Sequence, residues 1–499
     1  MPVPLSLHDA QAQLLSALDS RPGSRRLKQI LALAIATGLL CDPFVSARAV
    51  ATAAPSDLPL AHLAFRAASP RPSAFAFAAL IRAHSAGPSP DLALHLFSDM
   101  LRTGLYPDSF SFPFLLRAST RLHADPSPGH AIALRHGLSS HPHVATSLLH
   151  AYAALGLLDA ARRVFDETPQ RTTVTWNAII SCHAKSASHE RGLSFFVDML
   201  THGEAQPNSD TFAGALACCA GVGALAHGRA SHALATRRLA GRAAVVGTGL
   251  VHMYAKCGSL EAAWNVFDVM DDVKDASTWT AMIGGLAMHG RGEEAVALFE
   301  RMVGEEGVAP DGLAFTNVLH ACSHSGLVEA GIRLFNEMKE VYGIEPRMEH
   351  YGTMVDLFGR AGRLEAAIEV LELMPFEPNQ VVWGSLLHAC AINGELGFGE
   401  RLEERLSGLG LGLGLGMVEG EEGGFFVGVS NLYAGGGKWD EVGRVRDRMV
   451  ERGVRKESAV SLVVVNGEVH KFLVGDTRHP LATEIHRMLY EINRQIMSE

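Results

Sequence analysis

VTWNAII at 174–180, STWTAMI at 277–283 and VVWGSLL at 381–387 place Trp176, Trp279 and Trp383 at separations of 103 and 104 residues. A second family of strings keeps the same rhythm: GLLDAARRVFDETP from Gly156, GSLEAAWNVFDVM from Gly258 and GRLEAAIEVLELMP from Gly362. A third, FPFLLRAST from Phe112, FAGALACCA from Phe212 and FTNVLHACS from Phe315, falls between them. Agreement among independent landmarks defines a superrepeat of three subunits, each about 31 to 36 residues long.

Each subunit carries a helical period. In LEAAWNVFDVM, Leu260, Ala263, Trp264, Phe267 and Met270 recur three or four residues apart and so share one face of a helix. The glycine before such a segment marks a turn, and Pro-Asp or Pro-Asn marks the exit after it. A subunit is therefore predicted to be a helical hairpin. Hairpins that cannot bury their apolar faces alone stack on their neighbours, so the expected fold is all-α, a right-handed α-solenoid with a small mixed C-terminal extension.

Composition narrows the function classes. With 47% hydrophobic and 19% charged residues, the 499-residue chain has enough apolar material for an extended core. The longest early apolar run, Ile30 to Leu40, has 11 residues, too few to span a bilayer, and no membrane partner is expected. Seven cysteines without a CxxC pair argue against a disulfide scaffold and against a thiolate zinc site. The net charge of -10 argues against a nonspecific polyanion binder. Charge is uneven, however: residues 1–150 hold twelve Lys and Arg against eight Asp and no Glu, and this acid-poor beginning fits a short organellar targeting segment at 1–26.

Two stretches break the helical rhythm. Ser407 to Gly424, SGLGLGLGLGMVEGEEGG, alternates glycine too densely for a helix and reads as a flexible insertion; it fails the GxGxxG spacing of a phosphate loop. Ser461 to Val474, SLVVVNGEVHKFLV, has two β-branched runs around Asn466-Gly467, a hairpin signal.

The strings VTWNAIISCHAK, VHMYAKCGSLEAAWNVFD, HYGTMVDLFGRAGRLEAAIEVLELMPFEPNQVVWGSLLHAC and NGEVHKFLVGDTRHPLATEIH resemble a plant pentatricopeptide-repeat protein of the PLS subclass with E and E+ carboxyl-terminal motifs. The resemblance divides the chain into degenerate leading repeats at 27–73, an array at 74–379, an E motif at 380–465 split by the glycine-rich insertion, and an E+-like tail at 466–499. The array is cut at 74–108, 109–143, 142–172, 173–208, 209–243, 244–275, 276–311, 312–347 and 348–379.

What the resemblance implies is binding of single-stranded organellar RNA, one nucleotide per repeat, each base being read by two side chains. Carried over, the pairs are Ala78 with Asp108, Thr146 with Thr172, Asn177 with Asn208, Thr248 with Asp275, Thr280 with Asp311, Thr316 with Arg347, and Gly352 with Asn379. A carboxylate only accepts hydrogen bonds and guanine offers two donors, so Thr248 with Asp275 and Thr280 with Asp311 are expected to prefer G. Asn177 with Asn208 suits a pyrimidine, with Val174 against the base face. The family registers its last repeat of this kind, here 348–379, four nucleotides before the edited cytidine, which gives a pyrimidine at -9 and G at -7 and -6. The competing reading of Thr and Asn near a helix start is a helix cap. Trp176, Trp279 and Trp383 are expected to be scaffold.

Zinc deaminases of this lineage need HxE followed by PCxxC. The one HxE here, His202 to Glu204, precedes the adjacent Cys218 and Cys219, while His470, Asp476 and His479 come without cysteines. The chain is thus expected to be a monomer with no enzymatic activity, cofactor or metal site of its own. It would mark sites for C-to-U editing, in the mitochondrion or alternatively the chloroplast, with a DYW-type deaminase or another editing factor supplied in trans. Intron splicing or transcript stabilisation, and a tetratricopeptide-like protein scaffold, are the alternatives.

Overall fold

The computed structural model describes residues 7–20, 22–67, 72–186, 188–203, 205–239, 244–270, 274–408, 422–454, 460–465, 468–473 and 477–496. Contacts divide the chain into two units, Met1–Cys218 and Cys219–Glu499. Each is a stack of antiparallel helical hairpins, an α-solenoid.

The second unit shows how the hairpin forms. Helix Ala244–Lys256 ends in a turn at Gly258, whose φ of 81° is left-handed and costs an L side chain strain that glycine escapes. The chain reverses into Leu260–Val269, which buries Ala263 and Phe267 while Glu261 and Asp268 face solvent. Burying Phe267 alone is worth about 1.5–3 kcal/mol. Asp275 then caps Ala276–Met288 by accepting the Thr278 amide, and the next hairpin begins. The predicted periodicity therefore appears as packing: within this unit first helices stack on first helices, Ala276–Met288 on Gly312–Ser325 and Gly312–Ser325 on Met348–Arg360. Trp279 is 1% exposed in this unit and Trp176 is 3% exposed in the other, both scaffold as expected; Trp383 is half-buried.

The hairpin pattern continues beyond the array through Gln380–Asn393, Leu396–Gly408, Glu422–Gly435 and Trp439–Glu451. Most of the glycine-rich insertion lies outside the described residues. Strands Val460–Val465 and Glu468–Leu473 pair antiparallel with Val465 opposite Glu468, which leaves Asn466-Gly467, itself outside the described residues, as their connection. Helix Ala482–Ile496 follows. Among the described residues no helix is long and apolar enough to cross a membrane.

In the first unit, the stretch assigned to a targeting segment carries helix Leu7–Asp19 and the start of Ser24–Ala36. Leu14, Leu18, Leu27, Ile30 and Leu31, spaced for one helical face, join Val45, Ala49 and Val50 of helix Pro43–Ala53 in a single core.

A buried histidine gives this unit a pH response. His183 is 1% exposed, stacks on Phe195 at 5.3 Å, and both of its ring nitrogens lack partners. Burial first, then Arg191 and Arg162, push its pKa below 6.5. A depressed histidine pKa means that the unfolded chain binds the proton first, so the stabilisation is complete above 6.5 and is lost as pH falls through the folded-state value. The urea midpoint is expected to be lower at about pH 5.5 than at about pH 7.5, and His183→Phe, which keeps the ring stack, to recover part of the difference. Identical losses in the two proteins would sink this account of His183.

Candidate nucleic-acid interface

Where the residue closing an array repeat stands at the start of the next first helix, its side chain caps that helix. Thr172 Oγ1 accepts the Thr175 amide, Asp275 Oδ1 that of Thr278, Asp311 Oδ1 that of Ala314, and Asn379 Oδ1 that of Val382. Asn208 Oδ1 does the same for Thr211. Asp108 sits one turn earlier relative to its helix, Phe112–Arg121, and accepts from Phe110 and Ser111. Burial raises the Asp108 pKa, but the Ser111 and Phe110 hydrogen bonds outweigh it and hold the carboxyl below its ordinary value. The exception is Arg347, which has no acceptor; the His350 ring takes over, its Nδ1 accepting from the Arg347 amide at 2.9 Å while Nε2 donates to the Gly312 carbonyl at 2.8 Å.

A cap uses one side-chain oxygen and leaves the rest of the group at the surface. Thr172, Asp275, Asp311, Arg347 and Asn379 are all exposed. The cap reading and the base-contact reading of these residues are therefore compatible on one side chain.

One of the sequence-assigned pairs is joined directly and a second through a single threonine. Asn177 Nδ2 donates to Asn208 Oδ1 at 2.9 Å, and Thr211 Oγ1 donates to Asn177 Oδ1 at 2.6 Å. In the other unit Thr278 Oγ1 donates to Asp275 Oδ1 at 2.8 Å and lies 2.7 Å from Thr248 Oγ1. Since the Thr278 proton goes to the carboxylate, Thr248 donates to Thr278. Each pair thus forms one polar spot, bridged by a threonine three residues past the cap. Sequence reasoning missed these threonines; the signal was available, as the third residue of each capped helix in TVTW, SDTF and ASTW.

Where the bridge is absent the geometry changes. Ala314 stands at the bridging place after Asp311, and Thr280 is 4% exposed with its hydroxyl unpartnered. An orphaned buried hydroxyl is costly unless something arrives to bond it. Thr316 donates to the Gly312 carbonyl of its own helix, and a Cβ on Gly352 would lie 3.2 Å from Val382 Cγ2, so these two positions offer less to a base edge. Thr146 is half-buried.

Apolar walls accompany the polar spots. Val174, the second residue of its helix, is 59% exposed, and Phe75, Leu313 and Val381 hold the same place at 53%, 60% and 63%. Phe110, two residues after Asp108 as Val174 is two after Thr172, is exposed as well. A cavity of ≈ 690 Å³ opens among Phe75, Ala78, Asp108, Phe110, Phe114 and Arg117, so one assigned pair lines a recess walled by three aromatic rings. Helix Pro142–Ala154 opens after its cap His141, so the repeat read as ending at His143 exits at His141, and His143 stands in the wall position, its ring 6.4 Å from Phe110.

Glu204 of the sequence HxE lies outside the described residues, and among the described residues no three His, Cys, Asp or Glu side chains stand together as a metal-binding group. Cys218 is fully buried, and burial pushes its thiol up to about 12. His470 Nδ1 and His479 Nε2 are hydrogen-bonded at 2.9 Å with Phe472 against His479, while Asp476 lies outside the described residues.

The PPR repeat model matches residues 144–171, 174–204, 248–273, 313–341 and 349–377, and the PPR repeat family model matches 274–324. An Arabidopsis thaliana pentatricopeptide repeat-containing protein named chloroplastic/mitochondrial is 37% identical over 85% of this chain and 67% of its own length. Another from the same plant is 34% identical over 97% of this chain and 83% of its own length. Among solved structures, the pentatricopeptide repeat protein PPR10 in complex with an 18-nt RNA element aligns over 91% of this chain and 67% of its own at 18% identity, with a TM-score of 0.37.

Proposed function

Because this chain belongs to the pentatricopeptide-repeat family, we propose that it binds single-stranded RNA of a plant organelle, one base per repeat, and marks cytidines there for C-to-U editing by a deaminase recruited in trans. The observation that carries the reading is the hydrogen bond between Asn177 and Asn208, two residues 31 apart that the register assigns to one base before any geometry is considered. The Thr248–Thr278–Asp275 chain supports it in the other unit. Relatives are named chloroplastic or chloroplastic/mitochondrial, which supports an organellar site of action; within that, we favour the mitochondrion.

The site register follows from the assigned pairs: a pyrimidine for Asn177 with Asn208, G for Thr248 with Asp275 and G for Thr280 with Asp311. The three informative pockets contribute about 1–3 kcal/mol of discrimination each. The test is to sequence mitochondrial and plastid transcripts from plants with and without the protein, scoring cytidine conversion and intron retention together. Loss of conversion at a site with a pyrimidine at -9 and G at -7 and -6 is the expected result. Full conversion at every site, with introns retained or transcript ends missing, would move the function to splicing or protection.

A further inference from the structure

In the assigned pairs the first member is the fifth residue of its helix, and the ninth residue stands one turn further along the same face. In the first unit that face opens on the cavity of ≈ 690 Å³, where Ala78 and Arg82, the fifth and ninth residues of helix Ala74–Ala86, line one recess. Arg82 is exposed and puts a permanent cation there. At the ninth place of a later helix of this unit, Pro142–Ala154, the residue is His150, one turn after Thr146. The other unit has His252 in Ala244–Lys256, one turn after Thr248, and His320 in Gly312–Ser325, one turn after Thr316. His388 holds the ninth place of Gln380–Asn393, beyond the last assigned pair.

We propose that His150, His252 and His320 make RNA binding proton-linked: each ring takes up a proton as a backbone phosphate of the strand comes to face it, so that the grip tightens on mild acidification. The proposal rests on the RNA-binding reading above and adds a regulation to it.

The surroundings of the three rings support this. All are exposed, so a strand can reach them. Each also has a cationic neighbour. Lys185, at the end of the next first helix Thr173–Lys185, faces His150, and Lys256, one turn on in the same helix, faces His252. His320 has the His324 ring 4.2 Å away on its own helix, with Asp356 and Arg360 facing it from Met348–Arg360. Desolvation between the packed helices comes first, and the neighbouring cations second, in pushing all three below 6.5. At His320 Asp356 opposes them, but its carboxylate is engaged by Arg360 at 2.8 Å and by the Ser323 hydroxyl at 2.6 Å.

Near neutral pH the free protein therefore holds these rings largely uncharged. A phosphate reverses the balance, because its negative charge offsets both the neighbouring cation and the desolvation of the imidazolium. The sign follows: the bound state binds the proton more tightly than the free state, so affinity rises as pH falls through the histidine range. A chain of net charge -10 has few fixed cations to spare, and its 24 histidines are the groups that can add positive charge at physiological pH. Where Arg82 gives a contact that is always charged, the three histidines give contacts that come and go.

The experiment titrates the full chain with a single-stranded RNA carrying the pyrimidine, G and G of the register, at about pH 6 and about pH 8. Binding is expected to be roughly tenfold tighter at the lower pH. Calorimetry at about pH 7 in two buffers of different ionisation enthalpy is expected to show net proton uptake. Because each protonated ring displaces counterions from the strand, the plot of log K against log salt is expected to steepen at the lower pH, by up to about 0.7 per histidine. The triple variant His150→Gln, His252→Gln, His320→Gln keeps polar side chains at exposed positions, and in it the pH dependence, the proton uptake and the steepening are expected to disappear together. Equal affinity at both pH values in the unaltered protein, or undiminished proton uptake in the triple variant, would overturn the proton link and leave RNA binding intact. So would proton uptake without a steeper salt dependence, which would place the protons away from phosphate. Failure to bind at either pH, by a chain whose circular dichroism shows it folded, would overturn the RNA reading as well.

Discussion

Trp279→Ala is expected to lower the unfolding free energy of the unit Cys219–Glu499 by about 3–5 kcal/mol, a large share of what a single domain possesses. Trp279 is 1% exposed, meets the edge of Phe267 at 5.0 Å, and carries the Arg301 guanidinium 5.1 Å above its ring. Removing it empties the junction between one hairpin and the next. In a stacked array each repeat is held only by its neighbours, so the loss spreads to the adjoining hairpins. Trp279→Phe is the informative partner, because the indole nitrogen is buried without an acceptor and phenylalanine gives up no hydrogen bond. It should restore most of the loss. Urea unfolding followed by far-UV circular dichroism reads both effects. An alanine variant of unchanged stability but weakened RNA binding would show that the ring stacks on bases instead of supporting the fold.

The second large effect concerns specificity. Asp275→Asn and Asp311→Asn together are expected to erase most of the preference for G at two successive nucleotides, about tenfold at each. The argument turns on which oxygen does what. Asp275 Oδ1 is taken by the Thr278 amide and hydroxyl, and Asp311 Oδ1 by the Ala314 amide. The second carboxylate oxygen carries no hydrogen bond among the described residues, and it faces guanine donors only if it stays an acceptor. Asparagine preserves the capping oxygen, being as good a cap as aspartate, and replaces the other oxygen with a donor. Stability should therefore hold while base choice shifts. Competition binding with RNAs altered at those two positions measures it, and an undiminished preference for G in the double variant would dissociate both carboxylates from base reading.

The hairpin array was legible because its landmarks are large and periodic: a buried Trp or Phe at a fixed place and a glycine at a turn that demands positive φ. Closing residues such as Asn208 and Asp311 were legible too, since both cap the helices that follow them. What sequence did not yield was the state of the partner side chain. Thr248 and Thr280 are the same residue in the same place, yet one is tied through Thr278 and the other is buried with an idle hydroxyl. The difference lies in Thr278 against Ala314, two residues that matter only once the neighbouring helices are packed. The first helix was obscured for a different reason: the segment read at 1–26 as a targeting peptide lacks the Trp and Pro-Asp landmarks, and its acid-poor composition gives no sign of helix Leu7–Asp19, whose Leu14 and Leu18 join the core.

If the closing residue reads a base as proposed, besides capping the next helix, that double duty limits the alphabet in which this protein can be rewritten. Side chains that cap a helix well are Asp, Asn, Ser and Thr, a short set that happens to span acceptor, mixed and hydroxyl chemistry toward a base. A change of target spelled within those four letters keeps the next helix anchored. A change outside them loosens the start of the neighbouring repeat unless a second residue is recruited, as His350 is beside Arg347. Retargeting is therefore cheap along one short list of spellings and requires paired changes everywhere else.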